Sequence, residues 1–495
     1  MVEENDLQQI MLSRGLEYVY HKMFPLNPFV TVCYGKLGCF YNGPPFQHPY
    51  ERPISIPPLP PELQGTSFFL YTRSNRKIPF IFSPLYLNRA LKSTFRASKF
   101  TRVIIHSGSD GVFISTWQRQ LKDQYLAVAD ENIILVNYRR RLPPPFWNRA
   151  NARVVGAQIW KLIDFLCKRV GAFPETFHLI GHGLGAHVAG YAGERLHGLG
   201  RITALDPDGL NFKNVPAIVK LEQSDALFVD IIHTDPARNV LEGLGTPEDI
   251  GHVNFWTNGF RNKTCIPQRT LATGATAIET LENTLFCNHF KAIDLFIYSF
   301  NQQGCLFVGA ECPSSEEFYA GRCNCGKTGD KCRFMGQLAT PAPYETRYYI
   351  RLQNTRPYCL HQYQVIIYVE IPYLHKTYGS LHVSADLIAV GEKTFQETLQ
   401  FRMNLKEHSQ VKTFLLAFKE PIGKVNSATA VLHIPHQSYN LSISIEAIEI
   451  NYLFPIPKSE ISNLLCRDSK TSSYKENKVK LSASDCDSWI KRADD

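Results

Sequence analysis

The sequence predicts two domains in succession, an α/β domain built on a parallel sheet and then a C-terminal β-sandwich. Three observations support this. Apolar runs alternate with helical patterns over residues 67–235, two prolines interrupt residues 338–346, and the rest of the chain shows strand patterns without long helices between them. Strand–helix alternation is typical of a parallel sheet covered by helices, whereas successive strands separated by turn residues indicate a sandwich.

The candidate strands of the first domain are short and mostly continuous runs rich in isoleucine and valine, as strands buried on both faces are. They are Arg102–His106, Asn132–Val136, Phe177–Ile180, Arg201–Leu205 and Leu227–His233. Between the second and the third, an apolar residue recurs every three or four positions from Val155 to Val170, and Gly171 follows. This spacing predicts a helix with one apolar face and a glycine stop.

The candidate strands of the second domain follow one another without long helices between them, and Leu441, Ile443, Ile445 and Ala447 alternate with polar residues, as on a half-buried strand. They are Arg347–Thr355, Gln364–Ile371, Ser380–Leu387, Thr394–Met403, Val411–Lys419 and Tyr439–Ile450. We therefore expect an N-terminal extension over residues 1–31, the α/β domain over 32–337, a linker over 338–346 and the sandwich over 347–495.

Composition excludes several classes of protein. The 495 residues are 44% hydrophobic and 20% charged with a net charge of +8, as in an ordinary globular protein. There is no zinc-finger spacing, no dense basic block and no apolar run long enough to span a membrane, so neither nucleic-acid binding nor a transmembrane helix is expected. The first residues are acidic and lack the apolar core of a secretory signal, and we expect the sequence to begin after such a signal or at an alternative start.

The chain contains 13 cysteines, which indicate an oxidising compartment although the N-terminus shows no secretory signal. Many lie in close pairs within loop-like sequence, which favours disulfides and an oxidising compartment. Reduced, buried thiols are the alternative. A zinc site formed by Cys312, Cys323, Cys325 and Cys332 is a weaker one, because their spacing is unusual for zinc. The sequons at Asn262 and Asn440 matter only if the chain is secreted.

The motif that points to a chemistry lies at residues 179–188, LIGHGLGAHV. An apolar run, two flanking glycines and helix-forming residues have the layout of the G-x-S-x-G elbow, in which a nucleophilic serine sits on a sharp strand-to-helix turn. Here the central residue is Gly183. The sequence therefore predicts the turn without its nucleophile.

The other parts of such a centre follow in the expected order of nucleophile, acid and histidine. Asp206 ends an apolar run and precedes a proline, and His289 lies in Cys287-Asn288-His289. Each alone has an ordinary reading, as a turn-capping aspartate or a loop histidine. The backbone N–H groups of Leu184 and Gly108 are the candidate oxyanion hole, and Ser107 stands where a glycine is expected.

Together these motifs resemble the pancreatic lipase family from about residue 32 to the C-terminus. The matching stretches are VCYGKLGCF, RVIIHSG, VVGAQI, HLIGHGLGAHVAGYAGERL, GRITALDPDG, LFVDIIHTD, GHVNFWTNG, CNH and the cysteine-rich segment before the sandwich. The resemblance implies an α/β-hydrolase domain followed by a PLAT-like β-sandwich. It also implies acyl-ester hydrolysis of glycerolipids at oil–water interfaces by active members. Asp206 and His289 occupy the acid and base positions, and Gly183 the nucleophile position.

The resemblance also implies disulfides, a metal and partners. The disulfides are Cys33–Cys39, Cys265–Cys287, Cys312–Cys323, Cys325–Cys332 and Cys466–Cys486, which leaves Cys167, Cys305 and Cys359 over. A lid would lie within the loop between Cys265 and Cys287. Calcium would be held by Glu222 and Asp225 with the backbone of Ala217 and Lys220, and Ala217 replaces an expected acid. A solvated acidic turn is the alternative. A lipid–water interface, acyl lipids and a colipase-like protein are the candidate partners.

The expected function follows from the missing hydroxyl. In a worked protease case, deleting the nucleophile of a triad costs on the order of 10⁶ in turnover. We therefore expect a secreted protein of glycerolipid metabolism that is catalytically impaired and acts by binding lipids, an interface or a partner. Two alternatives stand beside it. One is an active triacylglycerol lipase or phospholipase A1 using water or a relocated nucleophile such as Ser107, and the other is a yolk-like storage or structural protein.

Overall fold

The structure is a computed structural model that describes residues 29–107, 116–138, 146–237, 242–258, 286–300, 304–371, 379–434, 443–456, 462–467 and 478–486. The predicted oxyanion residue Gly108, Cys265, both sequons and most of the predicted lid and N-terminal extension lie outside the described residues. No helix among the described residues is both long and apolar enough to cross a membrane.

Within the described ranges the helices are α1 (Thr116–Val128), α2 (Phe146–Val170), α3 (Leu184–Gly193), α4 (Cys287–Tyr298) and α5 (Ser315–Tyr319). The strands up to the predicted linker are β1 (Thr31–Cys33), β2 (Cys39–Tyr41), β3 (Ser67–Tyr71), β4 (Phe80–Phe82), β5 (Thr101–Ile105), β6 (Asn132–Asn137), β7 (Phe177–His182), β8 (Arg201–Leu205), β9 (Phe228–His233), β10 (Val253–Thr257), β11 (Val308–Glu311) and β12 (Cys332–Phe334). The strands after it are β13 (Thr346–Ile350), β14 (His361–Glu370), β15 (Ser380–Gly391), β16 (Thr394–Asn404), β17 (Ser409–Phe418), β18 (Val425–His433), β19 (Ser444–Tyr452), β20 (Ser462–Arg467) and β21 (Lys478–Ser482).

The chain divides into two compact units, residues 1–300 with 336–347 and residues 301–335 with 348–495. The predicted division at residues 337 and 347 differs from this, because the cysteine-rich segment 301–335 belongs to the second unit. It is fastened there by pairing of β11 with β13, in which Ala310 lies opposite Tyr349, and by the disulfide Cys305–Cys359.

The first unit contains the predicted parallel sheet. Its strands follow the order β4-β3-β6-β5-β7-β8-β9-β10, with parallel pairing from β6 through β10 and antiparallel pairing of β3 with both β4 and β6. The apolar face predicted between Val155 and Val170 lies on α2 and packs into the buried core with residues of α3 and the sheet. All five predicted strands are present, with ends that differ by a few residues. In such a sheet, functional groups collect beyond the carboxyl ends of the parallel strands.

The second unit contains eight antiparallel strands in the order β16-β15-β18-β21-β20-β19-β14-β17 around one apolar core. Three of them, β18, β20 and β21, are absent from the sequence prediction. The inward residues of β18 include Ala428 and Ala430, and alanine is a weak strand signal because strand propensity favours β-branched and aromatic residues. Strands β20 and β21 were missed because they are short and lie in a polar region of the sequence.

The described residues include five disulfides. Four of them join cysteines that the resemblance pairs, Cys33–Cys39, Cys312–Cys323, Cys325–Cys332 and Cys466–Cys486. The alternative zinc site is therefore wrong, since its four cysteines form two of these disulfides. The fifth, Cys305–Cys359, joins two cysteines that were left over. Cys167 is free, and Cys287 is disulfide-bonded.

Candidate active site

The elbow predicted at Gly183 is a one-residue turn between β7, which ends at His182, and α3, which begins at Leu184. Gly183 has φ 53° and ψ −120°. Its N–H donates to the carbonyl of Leu205 at 3.1 Å, which fastens the turn to the end of the neighbouring strand β8. Glycine adopts a positive φ without the steric cost that a Cβ imposes. The turn is therefore formed although the serine is absent.

Asp206 follows β8 directly, beside this turn, and its carboxylate is fully buried. Oδ1 accepts the backbone N–H groups of Thr234 at 2.8 Å and Asp235 at 2.9 Å. Its φ of 44° is unusual for a residue with a side chain. Burial acts to raise the pKa of Asp206, but the hydrogen bond and charge of His289 outweigh it, and the net pKa is lowered. Asp206 is therefore an oriented, ionised carboxylate with Oδ2 left for the imidazole.

His289 lies in the first turn of α4 and is 1% exposed. Its Nδ1 lies 2.7 Å from Asp206 Oδ2, and its Nε2 lies 3.6 Å from Oδ1 of Asp208. Burial acts to lower the pKa of His289, but Asp206, Asp208 and Asp235 outweigh it and raise the pKa to about 9. The raised pKa favours the protonated ring, and the protonated ring cannot accept a proton as a general base.

The space that a nucleophile would enter is bounded by three polar atoms. A Cβ placed on Gly183 would lie 2.8 Å from Asp208 Oδ1, 2.9 Å from His289 Nε2 and 2.9 Å from Ser107 Oγ. These distances are shorter than carbon–oxygen contacts in well-packed proteins. The structure thus brings Gly183, Asp206 and His289 together, and adds Asp208 on the side of the imidazole that a serine hydroxyl would face.

Sequence reasoning missed Asp208. The residue stands two positions after Asp206 in LDPDG, and the only available signal was this second carboxylate close to the first. The turn at Pro207 returns its side chain toward the imidazole, which spacing alone does not reveal.

Of the two predicted oxyanion donors, the structure describes one. Leu184 is the first residue of α3, and N–H groups in the first turn of a helix have no partner within the helix. Ser107 follows β5 and is buried. The preceding His106 stacks on Tyr138 with ring centroids 4.2 Å apart, which holds this segment beside the elbow.

The predicted calcium ligands lie between β8 and β9. Asp225 is buried, and its carboxylate accepts the N–H of Glu222 at 2.9 Å. Burial, then the charges of Glu222 and Glu194, raise the pKa of Asp225 to about 8. A divalent cation would reverse this by stabilising the ionised carboxylate, and hard oxygen ligands suit calcium.

The backbone part of that set fits less completely. The carbonyl of Ala217 accepts the N–H of Lys220 at 3.0 Å, which leaves one of its two lone pairs. The ammonium of Lys220 contacts the carboxylate of Glu248 and does not oppose a cation from within the set. No cluster of three or more His, Cys, Asp or Glu side chains suited to a metal occurs in the described part of the chain, so a cation here would need backbone carbonyls.

Comparison with known proteins identifies the family. The Lipase family profile matches residues 30–358, which is more than half of the chain. The chain belongs to the lipase family. It is 37% identical over 327 residues to rat "Pancreatic lipase-related protein 2", covering 62% of this chain and 68% of that protein. It is 36% identical over 332 residues to human "Pancreatic lipase-related protein 3", covering 66% of this chain and 70% of that protein.

A third relative of this lipase-family chain carries a different name. Human "Inactive pancreatic lipase-related protein 1" is 37% identical over 322 residues, covering 62% of this chain and 66% of that protein. The chain thus spans about two thirds of the length of these relatives. Family membership and the observed sheets confirm the predicted fold class, an α/β-hydrolase domain followed by a β-sandwich.

Proposed function

We propose that this lipase-family protein has lost serine-based ester hydrolysis and acts by binding acyl lipids or a lipid–water interface. One observation supports this most strongly. At the elbow, Gly183 supplies no nucleophile, and the imidazole of His289 faces the carboxylate of Asp208 at 3.6 Å where it would otherwise face a hydroxyl. Acyl transfer needs a nucleophile hydrogen-bonded to its base, and position 183 offers no nucleophile.

The remaining geometry supports binding more than turnover. The elbow, the buried Asp206 and the N-terminus of α3 keep the arrangement of a hydrolase centre, whereas Asp208, His289 and Ser107 close in on the place of the missing side chain. A relative of this chain is itself named inactive, so loss of hydrolysis on this fold has a precedent. Five disulfides among the described residues favour an oxidising, extracellular compartment.

Two measurements test the proposal. The native protein should hydrolyse p-nitrophenyl butyrate and emulsified triglyceride at most ~10³–10⁴ times faster than the uncatalysed reaction in buffer. This is the enhancement that binding and an oxyanion hole alone sustain. The same protein should bind a fluorescent fatty acid or triglyceride emulsion. Turnover at the rate of a serine-containing lipase-family relative would overturn the loss of hydrolysis. Absence of binding, together with high abundance, would favour a storage protein instead.

A second candidate function is hydrolysis by a relocated nucleophile, and one distance favours it. Ser107 Oγ would lie 2.9 Å from a Cβ on Gly183, in the same small space as His289 Nε2. A serine-directed fluorophosphonate probe separates the two candidates. Labelling that maps to Ser107, and that is lost in Ser107→Ala, would establish this second function. The absence of labelling in protein that binds lipid supports the first.

We also propose that calcium, where it binds, acts as a structural ion. The donors would be the carboxylates of Glu222 and Asp225 with the carbonyls of Ala217 and Lys220. The ion would supply charge neutralisation at a buried carboxylate and no step of chemistry, because these residues belong to a different loop from the elbow.

A further inference from the structure

One stretch of the chain carries an uneven charge. Between Glu62 and Asp110 there is no acidic residue, whereas eight lysines and arginines occur there. That positive charge equals the net charge of the whole protein, +8. Concentrated charge of one sign creates a surface potential that attracts anionic partners.

The most exposed part of this stretch is residues 73–78, Arg-Ser-Asn-Arg-Lys-Ile, which we call the basic loop. It follows β3, whose last residue Tyr71 lies opposite Ile133 near the start of β6. Thr101, the first residue of β5, lies opposite Asn132. The basic loop is therefore at the amino end of the parallel strands, whereas the elbow is at their carboxyl end.

The basic loop is held in place by the rest of the first unit. The side chain of Asn75 donates to the carbonyls of Leu70 at 2.9 Å and Ile78 at 3.1 Å. Thr94 donates to Asn75 Oδ1 at 2.9 Å, and the ammonium of Lys122 donates to the carbonyl of Arg76 at 2.9 Å. Because the loop is already ordered, binding through it would cost little additional conformational entropy.

The carboxylates around this end neutralise only some of its positive charges. Asp123, Asp130 and Glu131 are paired with Lys122, Lys99 and Arg102 at 2.5, 3.5 and 2.7 Å. Among the described residues, the exposed side chains of Arg76, Lys77 and Arg96 take part in no ion pair. They therefore remain available to a ligand with several negative charges.

An apolar side chain lies among these cations. Ile78 is 78% exposed and directly follows Lys77. A groove of about 620 Å³ runs beside it, lined by residues 73–80 and Thr94. A polyanion such as a nucleic acid or a sulfated polysaccharide would bind the cations but would offer the exposed side chain of Ile78 no apolar contact. A membrane surface accommodates both, because basic side chains meet anionic headgroups while an apolar side chain enters the acyl boundary.

We propose that the basic loop docks this protein on an anionic lipid surface, with Arg76, Lys77 and Arg96 at the headgroups and Ile78 inserted between them. This goes beyond the proposed function, because it concerns the opposite end of the sheet and holds whether or not the pocket hydrolyses. In this orientation the elbow faces away from the surface to which the protein is bound.

The test is vesicle flotation with the full chain, using phosphatidylcholine vesicles with and without phosphatidylserine at low and high NaCl concentration. We expect binding only to the phosphatidylserine vesicles, weakened by salt. Each basic residue near an anionic surface is worth about fivefold in affinity, so Arg76→Gln/Lys77→Gln should bind about 25-fold more weakly. Ile78→Ser should weaken binding at both salt concentrations, because its contribution is not ionic.

The matched control is Lys327→Gln/Lys331→Gln, which removes the same charge from exposed lysines of the second unit. It should bind like the native protein. The proposal is overturned if the Arg76/Lys77 variant keeps native affinity or if the control loses as much. It is also overturned if the protein binds immobilised heparin but neither kind of vesicle. A hydrolysis assay on the same variants reports on the pocket separately.

Discussion

Restoring the missing serine should not by itself restore hydrolysis, because Asp208 now faces His289. In Gly183→Ser the new Cβ would lie 2.8 Å from Asp208 Oδ1, so the carboxylate and the hydroxyl compete for the same side of the imidazole. With a pKa of about 9 for His289, only about one ring in a hundred is neutral at pH 7. The single variant should therefore be slower at pH 7 than Gly183→Ser/Asp208→Ala, which removes one of the carboxylates that raise this pKa and leaves the larger effect of Asp206 in place.

The assay is p-nitrophenyl butyrate hydrolysis as a function of pH. The single variant should gain about tenfold between pH 7 and pH 8 and less above that, because the neutral fraction of His289 rises in that proportion and reaches one half near pH 9. The double variant should reach its plateau at lower pH. Asp208→Ala alone, which still lacks a hydroxyl, is the control and should stay at the native rate.

Two results would refute this reasoning. If Gly183→Ser alone reaches the rate of the double variant at pH 7, then Asp208 does not restrain His289. If the double variant gains nothing over the native protein while remaining folded, then the oxyanion donors or the alignment of the centre are missing, and the loss of activity does not reside at these two residues.

Three further predictions concern the native protein. In NMR, the His289 ring should titrate near pH 9. Because this pKa lies above the ordinary 6.5, its contribution to the free energy of unfolding is complete below pH 6.5 and should fall by up to about 3 kcal/mol as pH rises through 9. Calcium should raise the melting temperature. At a hundredfold excess over Kd it should add up to about 2.7 kcal/mol to the free energy of unfolding, and Asp225→Asn should abolish the effect. Replacing Cys305 and Cys359, 54 residues apart, by serine should cost about 4 kcal/mol by loop-closure entropy.

Each has an outcome that counts against it. A His289 titration at or below pH 6.5 would mean that Asp206 and Asp208 do not hold the ring as a cation. An equal calcium response in Asp225→Asn would place the ion elsewhere. Cys167→Ser removes the free thiol and serves as control for the disulfide variant. If it is destabilised as much as the double serine variant, the cost belongs to cysteine replacement and not to the cross-link.

The sequence predicted the parallel sheet well because its strands are continuous isoleucine and valine runs between glycine and proline signals. The helix from Val155 was equally clear, since its apolar spacing matches one helical face. Strand β18 was missed because its inward residues include small alanines. The contacts that group segment 301–335 with the second unit could not be predicted, because a strand pairing between distant residues leaves no local pattern.

At the site, the order of Gly183, Asp206 and His289 along the chain was readable because a strand-to-helix turn has its own glycine signature. The role of Asp208 was not, since it depends on the direction in which the chain turns after Pro207. The pairing of Cys305 with Cys359 was hidden for the same reason, as two cysteines far apart in sequence carry no signal of their proximity.

The buried pair of Asp206 and His289 has a consequence for reading gene families. Removing one member of such a pair leaves the other buried without a partner for its charge, which strongly destabilises the folded protein. Selection for folding alone would therefore retain both residues long after turnover has ceased. Surveys that score a protein as an enzyme because these two partners are still encoded would count a structural necessity as a sign of activity.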